Sequence, residues 1–341
     1  GTADWETPSA GGGGGGTVQG TDQTYDIQAA NEGATAGNAR GENAVDLQTK
    51  RAVATMVASG NNSVICGGED NIASGRHCFV GAGDTNTCTG LISGIVAGAR
   101  NEITGSRYNS GIVAGTWNTI NGGDKGFIGC GTGNTVSGVS SSIVGGNISS
   151  CTGRQSFIGG GNINVSNGNE TVIAGGYTNI VSANYGAVLG GMYAKSDKYA
   201  QQSHGAGRFS ATGDAQTSVL LARKSTTDAT ANVELFLNGS SLRCTIATDT
   251  TWTFDVLMVA RRTDANGESA AYRLVGCIDN NAGTTALVGT VTKTVIAEDT
   301  SAWDCQATAD DTNNALKLDV TGEASKTIRW VARITLVEVT G

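Results

Sequence analysis

The stretch that decides the fold is Ser63–Gly75, SVICGGEDNIASG, with two later stretches of the same form, SFIGGGNINV at 156–165 and TVIAGGYTNIVSA at 171–183. Each opens on two adjacent apolar residues, continues with small ones, reaches an asparagine and returns through a second short apolar run. Nine such pairs recur at spacings of 14 to 17 residues: Val64-Ile65, Phe79-Val80, Ile95-Val96, Ile112-Val113, Phe127-Ile128, Ile143-Val144, Phe157-Ile158, Val172-Ile173 and Val188-Leu189. Half a period later, asparagine recurs at Asn71, Asn86, Asn101, Asn118, Asn134, Asn147, Asn162 and Asn179. A helix does not explain this pattern. The 3.6-residue period is missing, and each glycine inside a helix costs about 1 kcal/mol relative to alanine.

A stacked coil does explain it. Each repeat makes one turn with two short strands, and glycine and asparagine accept the left-handed backbone of tight corners. The apolar residues of successive coils stack at a strand spacing of about 4.8 Å. No coil can bury its apolar face alone, but its neighbours can do so. The expected fold is therefore all-β, with a parallel β-roll or β-helix shaft of nine coils over residues 59–196 whose core is the nine pairs. So thin a core also predicts self-association: three columns side by side, as a homotrimer, would cover the second member of each pair.

Composition narrows the rest. The 341 residues include 52 glycines and one proline, Pro8; 15% are charged, and the net charge is −8. No basic cluster marks a nucleic-acid or anionic-membrane surface, and no apolar run approaches the ~20 residues of a membrane-spanning helix. Residues 1–58 read as a glycine-rich connector. The Gly11–Gly16 run lacks the Gly-Lys-Ser/Thr of a phosphate-binding loop. Residues 197–341 read as short strands between turns such as Asn238-Gly239 and Asn266-Gly267, with clean alternation through Trp252, Phe254, Val256 and Met258. This predicts an antiparallel, jelly-roll-like β-sandwich.

The quoted repeats, from Ser59 to Ser196, resemble the head repeats of trimeric autotransporter adhesins and the related repeats of phage tail fibres. The later stretches TTWTFDVLMVARRTDANGESAAYRLVG and KTIRWVARITLVEV resemble C-terminal domains of phage tail-fibre and virion proteins. An adhesin of that kind would end in a membrane anchor with an aromatic last residue. This chain ends Val339-Thr340-Gly341, so the phage reading is preferred to a bacterial surface adhesin or a purely structural filament. The resemblance implies a virion protein bound to other tail or baseplate proteins, with a glycan or protein receptor on the host surface. Its loops at Asp264, Asn266 and Glu268 and at Asn280 and Asn281 would be candidate contacts.

Little in the residue content suggests catalysis or a cofactor. His77 and His204 have no partners at metal-site or triad spacing. Along the coils only Glu69 and Asp70 are adjacent acids, so the paired carboxylates of a glycan-cleaving tailspike are not evident. The expectation is a chain without enzymatic activity, metal or cofactor, whose cysteines are free thiols.

Overall fold

The computed structural model describes residues 38–105 and 108–341, with two short strands at Thr17–Gln19 and Tyr25–Ile27. The Gly11–Gly16 run and most of the expected connector lie outside the described residues. Among the described residues all regular structure is β. The chain divides into two compact units, one ending at Gly145 and the other beginning at Gly146. In all it contains a parallel β-solenoid of about 11 turns followed by antiparallel sheets.

In the first unit two parallel ladders climb in register. One runs through Val45–Asp46, Val64–Ile65, Phe79–Val80, Gly94–Ile95, Gly111–Ile112 and Phe127–Ile128 to Ser142–Ile143. The other runs from Ile72–Ala73 through Thr87–Cys88, Glu102–Ile103 and Thr119–Ile120 to Thr135–Val136. Only one member of each apolar pair is interior. Ile65, Val80, Ile95, Ile112, Ile128 and Ile143 are buried, as are Ile158, Ile173 and Val188 in the second unit. Val64 is half-buried, and the other eight partners are exposed: Phe79, Val96, Val113, Phe127, Val144, Phe157, Val172 and Leu189. The core of the single chain is therefore half of the expected set, because neighbouring residues on a strand point to opposite faces.

Each coil is then fixed by buried asparagine. Asn101 donates its amide to Ala97 O at 3.3 Å and Gly115 O at 2.8 Å, and its Oδ1 accepts the N–H of Asn118 at 3.1 Å. Asn71, Asn86, Asn118 and Asn134 continue the ladder in the first unit, and Asn164 and Asn179 form it in the second. This corrects the asparagine assignment, since Asn147 and Asn162 stack on each other in a different, outer column. The glycine preceding each ladder asparagine is equally constrained. Gly98 has φ +106°, and a Cβ there would lie 2.1 Å from Gly115 O.

Two turns exceed the apolar-pair count because polar residues fill their interior positions. The interior residue of the first is Asp46, fully buried against Arg40 at 3.1 Å and Arg51 at 3.2 Å. In the last it is Ser203.

The second unit carries the last turns and the antiparallel sheets. Strand Gln202–Ala206 pairs in parallel with Ala187–Met192 on one side and antiparallel with Ala215–Thr226 on the other. The solenoid sheet thus passes directly into the larger sheet, Ala215–Thr226, Ile328–Thr340, Thr250–Arg262, Ser269–Asn281 and Thr292–Glu298. A smaller sheet is built on Ala315–Thr321, flanked by Asp304–Asp310 on one edge and by Val233–Glu234 and Cys244–Thr245 on the other. Between the two sheets lies one core that includes Trp252, Phe254, Trp303, Leu318, Trp330 and Leu336.

Candidate functional site

The exposed members of the apolar pairs form a patterned surface. On each coil the interior residue is flanked by one outward position before it and one after it. The flanking residues are Phe79 and Gly81, Gly94 and Val96, Gly111 and Val113, Phe127 and Gly129, and Ser142 and Val144 in the first unit. In the second they are Phe157 and Gly159, Val172 and Ala174, and Ala187 and Leu189. In these eight coils a large residue on one side meets a small one on the other; the two coils before them do not follow this, with Val45 and Leu47 flanking Asp46 and Val64 and Cys66 flanking Ile65. The Phe79 ring lies against its own glycine, so that a Cβ on Gly81 would stand 3.3 Å from the ring, and Phe157 and Gly159 repeat the arrangement. The glycines are also demanded within the chain, since a Cβ on Gly81, Gly129 or Gly159 would stand 2.2, 2.3 or 2.4 Å from the backbone oxygen of the next coil; the exposed large residues opposite them have no such cause. Exposed apolar rows of this regularity mark an interaction surface.

In the second unit the face continues in register across the sheet junction. Outward positions run from Ala187 to Gln202, then to Val219, Thr335 and Asp255. Beside them Leu221, Leu257, Val337 and Val339 are also exposed.

On the opposite side of that junction lies a polar cavity of about 190 Å³ lined by Lys195, Asp197, Lys198, Asp214, Trp252 and Glu338 among others. Glu338 is buried, with its carboxylate bonded to the Ser218 hydroxyl and to Gln216 Nε2. Burial pushes its carboxyl above the ordinary value, against the pull of Lys198 and these two donors. Asp197 goes the other way. Burial would raise it, but Lys198, at 2.7 Å, and Lys195, at 3.1 Å, outweigh that and hold it below the carboxylate range. Lys198 also sits over the Trp252 ring, 5.1 Å from its centroid. Two carboxyls around one cavity are thus shifted in opposite directions. Nothing in the local sequence pattern marks this pair, because Asp197 and Glu338 are 141 positions apart and become neighbours only through the junction.

The candidate contact residues fall elsewhere. Asp264 and Glu268 both bind Arg262, at 2.9 and 3.2 Å, and Glu268 also binds Lys326 at 2.9 Å. The hydrogen bond from Arg262 is the main reason the Asp264 carboxyl drops to about 2. Asn266 is exposed in the same turn. Asn280 is buried, donating to Ile246 O at 3.2 Å and accepting from Gly283 N at 3.0 Å, while the Asn281 amide donates to Asp279. The two loops occupy opposite ends of one long hairpin, Thr250–Arg262 and Ser269–Asn281, and do not converge. His77 is a left-handed corner residue, φ 57°, whose N–H donates to Asn61 O at 2.9 Å.

No protein-family model matches the chain, and no curated protein is found as a relative. Among solved structures, the chain is similar to the tailspike gp49 of Acinetobacter baumannii bacteriophage Fri1, described as a capsular polysaccharide depolymerase. Identity is 8% and the TM-score 0.23, over 86% of this chain and 66% of that one, so the chain spans just under two thirds of its length. The tailspikes of Acinetobacter phage vB_ApiP_P1 and of A. baumannii phage AM24 follow, each at 9% identity and TM-score 0.22 over 87% of this chain, covering 74% and 67% of theirs. Likeness this loose transfers no residue role. It does overturn one expectation: a chain without enzymatic activity is no longer the reading, since a protein it is similar to is described as a depolymerase.

Proposed function

We propose that the chain is the subunit of a homotrimeric phage tail fibre or tailspike, carried on the virion by other tail proteins and attaching to a host-surface glycan. The observation that carries this reading is the size-compensated apolar face. Its rows repeat once per coil, and a second copy of the same solenoid repeats with the same rise, so identical chains can interlock along their length. The resemblance of the sequence repeats to trimeric head repeats is the reason for proposing three copies, and three copies would raise a weak single-site affinity for a glycan through multivalency.

Light scattering on the intact chain tests it, with Val96→Lys/Val113→Lys as the perturbed form. A mass of three chains that falls to one in the variant supports the reading. A monomeric unaltered chain at micromolar concentration would sink it.

A second reading, a tailspike that also cuts the glycan it binds, is favoured by the opposed carboxyls of Asp197 and Glu338. Release of reducing ends from host glycan, abolished in both Asp197→Asn and Glu338→Gln with the fold intact, would support it. Release unchanged in both variants would remove these residues from any such activity.

A further inference from the structure

The cations of the antiparallel sheets fall into two groups. Arg243, Arg262, Arg273, Lys293, Lys317 and Lys326 each lie within ion-pair distance of a carboxylate. Arg223, Lys224, Arg261, Arg329 and Arg333 have no carboxylate within ion-pair distance among the described residues; Arg333 stands between Leu221 and Leu257, and the other four lie further along the same strands. Arg329 and Arg261 are directly opposite each other on adjacent antiparallel strands, both exposed. Like charges in that position repel, yet no carboxylate among the described residues lies within ion-pair distance of either, although the chain's net charge is −8.

Arg223, Lys224 and Arg329 line a groove of about 230 Å³ whose lining includes no acidic residue, with Val331 supplying an apolar wall. The groove is built to hold its cations in place. Arg223 donates to Asn238 O at 3.1 Å, and Gly239, φ +82°, leaves it room: a Cβ there would stand 3.0 Å from Arg223 Nε. Lys224 lies over the Phe236 ring at 5.5 Å.

We infer that this groove, together with Arg261, which stands opposite Arg329 on the adjacent strand and outside the groove's lining, is the contact for an anionic saccharide, with carboxylate-bearing sugars held by Arg223, Arg329 and Arg261 and their apolar faces set against Val331. Guanidinium groups bind carboxylates through paired hydrogen bonds, and an apolar wall suits the C–H face of a sugar ring. The inference rests on the glycan-attachment reading above and names the chemistry of its ligand.

The test measures binding of the intact chain to polygalacturonate, to dextran of similar length and to inorganic polyphosphate. The same measurements are made on Arg261→Gln/Arg329→Gln and, as a control on the same sheet face, on the ion-paired Arg273→Gln. Folding of the double variant is not at risk, since it removes a repulsion, and its circular dichroism and solution mass should be unchanged. The expected result is binding to polygalacturonate over dextran, weakened about tenfold in the double variant, equivalent to about 1.4 kcal/mol, and little changed in the control. Equal binding of dextran, or unchanged polygalacturonate binding in the double variant, would overturn the inference. Equal binding of polyphosphate would overturn its saccharide part. A chain that binds host cells but not polygalacturonate refutes this inference alone, whereas one that binds neither refutes attachment itself.

Discussion

Replacing Asn101 by alanine tests the ladder that fixes the coils. The side chain makes four hydrogen bonds: it donates to Ala97 O and Gly115 O and accepts from the backbone and side-chain nitrogens of Asn118. Not all are lost outright. Gly115 O keeps the N–H of Ala99 at 3.0 Å, and Asn118 Nδ2 keeps Gly131 O at 2.9 Å. The group left bare is the backbone N–H of buried Asn118. An unsatisfied buried donor costs about 1–3 kcal/mol and each net bond about 1 kcal/mol, so about 3 kcal/mol is expected. Coupling in a stacked repeat is nearest-neighbour, so the effect should be local. Hydrogen exchange followed by mass spectrometry reads it directly. The Asn118 amide should lose about two decades of protection, at 1.4 kcal/mol per decade, while the Asn179 amide, held by Asn164 at 3.0 Å, should not change. Protection of Asn118 within about threefold of the unaltered chain, well below what the lost bonds imply, would show that the ladder is decoration.

Three further outcomes are expected. Gly98→Ala should destabilise the first unit by more than the about 1–3 kcal/mol of a left-handed residue alone, because the new Cβ also meets Gly115 O; an unchanged melting temperature would contradict this. Glu338 has a folded-state carboxyl raised above its ordinary value of 4.5, so the folded state binds more protons than the unfolded one just above that pH, and stability should fall as pH rises through this window. Urea midpoints of Glu338→Gln should lack that fall; a variant with the same slope would assign it elsewhere. In the native chain, iodoacetamide should label exposed Cys66 and Cys130 and spare buried Cys78, Cys88, Cys151, Cys244 and Cys305, as peptide mapping would read; native labelling of the buried five would contradict the core described here.

The repeat was legible because apolar pairs survive any slip in counting. Its register was not. In the nine coils marked by an apolar pair the ladder position lies six residues after the interior residue, Ile65 to Asn71 and Ile158 to Asn164 alike, but the interior residue is the second of the pair in Phe79-Val80 and the first in Ile95-Val96. Counting from the pair therefore placed the ladder on Asn147 and Asn162 and missed Ser149, which stands in the ladder and receives the Asn164 N–H at 3.3 Å. The end coils were hidden for another reason. Their interiors are an aspartate and a serine, and a buried Asp46 cannot be told from a surface one until Arg40 and Arg51 are seen to enclose it. The antiparallel strands followed their alternation closely, whereas the polar cavity depends on pairing between distant segments that no local pattern announces.

The two surface proposals meet on one sheet. Because Gln202–Ala206 joins the solenoid ladder to the antiparallel strands, outward positions of both belong to a single face in the second unit. Moving along the strands away from that join, the face changes character. The rows nearest it hold Val337, Val339, Thr217 and Thr253; arginine enters at the row of Leu221, Arg333 and Leu257, and the last row is Ser225, Arg329, Arg261 and Ser269. Copies packed through the apolar rows would cover the near end. They would leave the arginine row, which no apolar surface would accept without a counter-charge, at the margin of the assembly. A face uniformly apolar would bury everything in the oligomer, and one uniformly basic would keep the copies apart. The gradient permits both tasks, and it predicts that Val337→Lys disrupts the oligomer whereas Arg329→Gln leaves its mass unchanged.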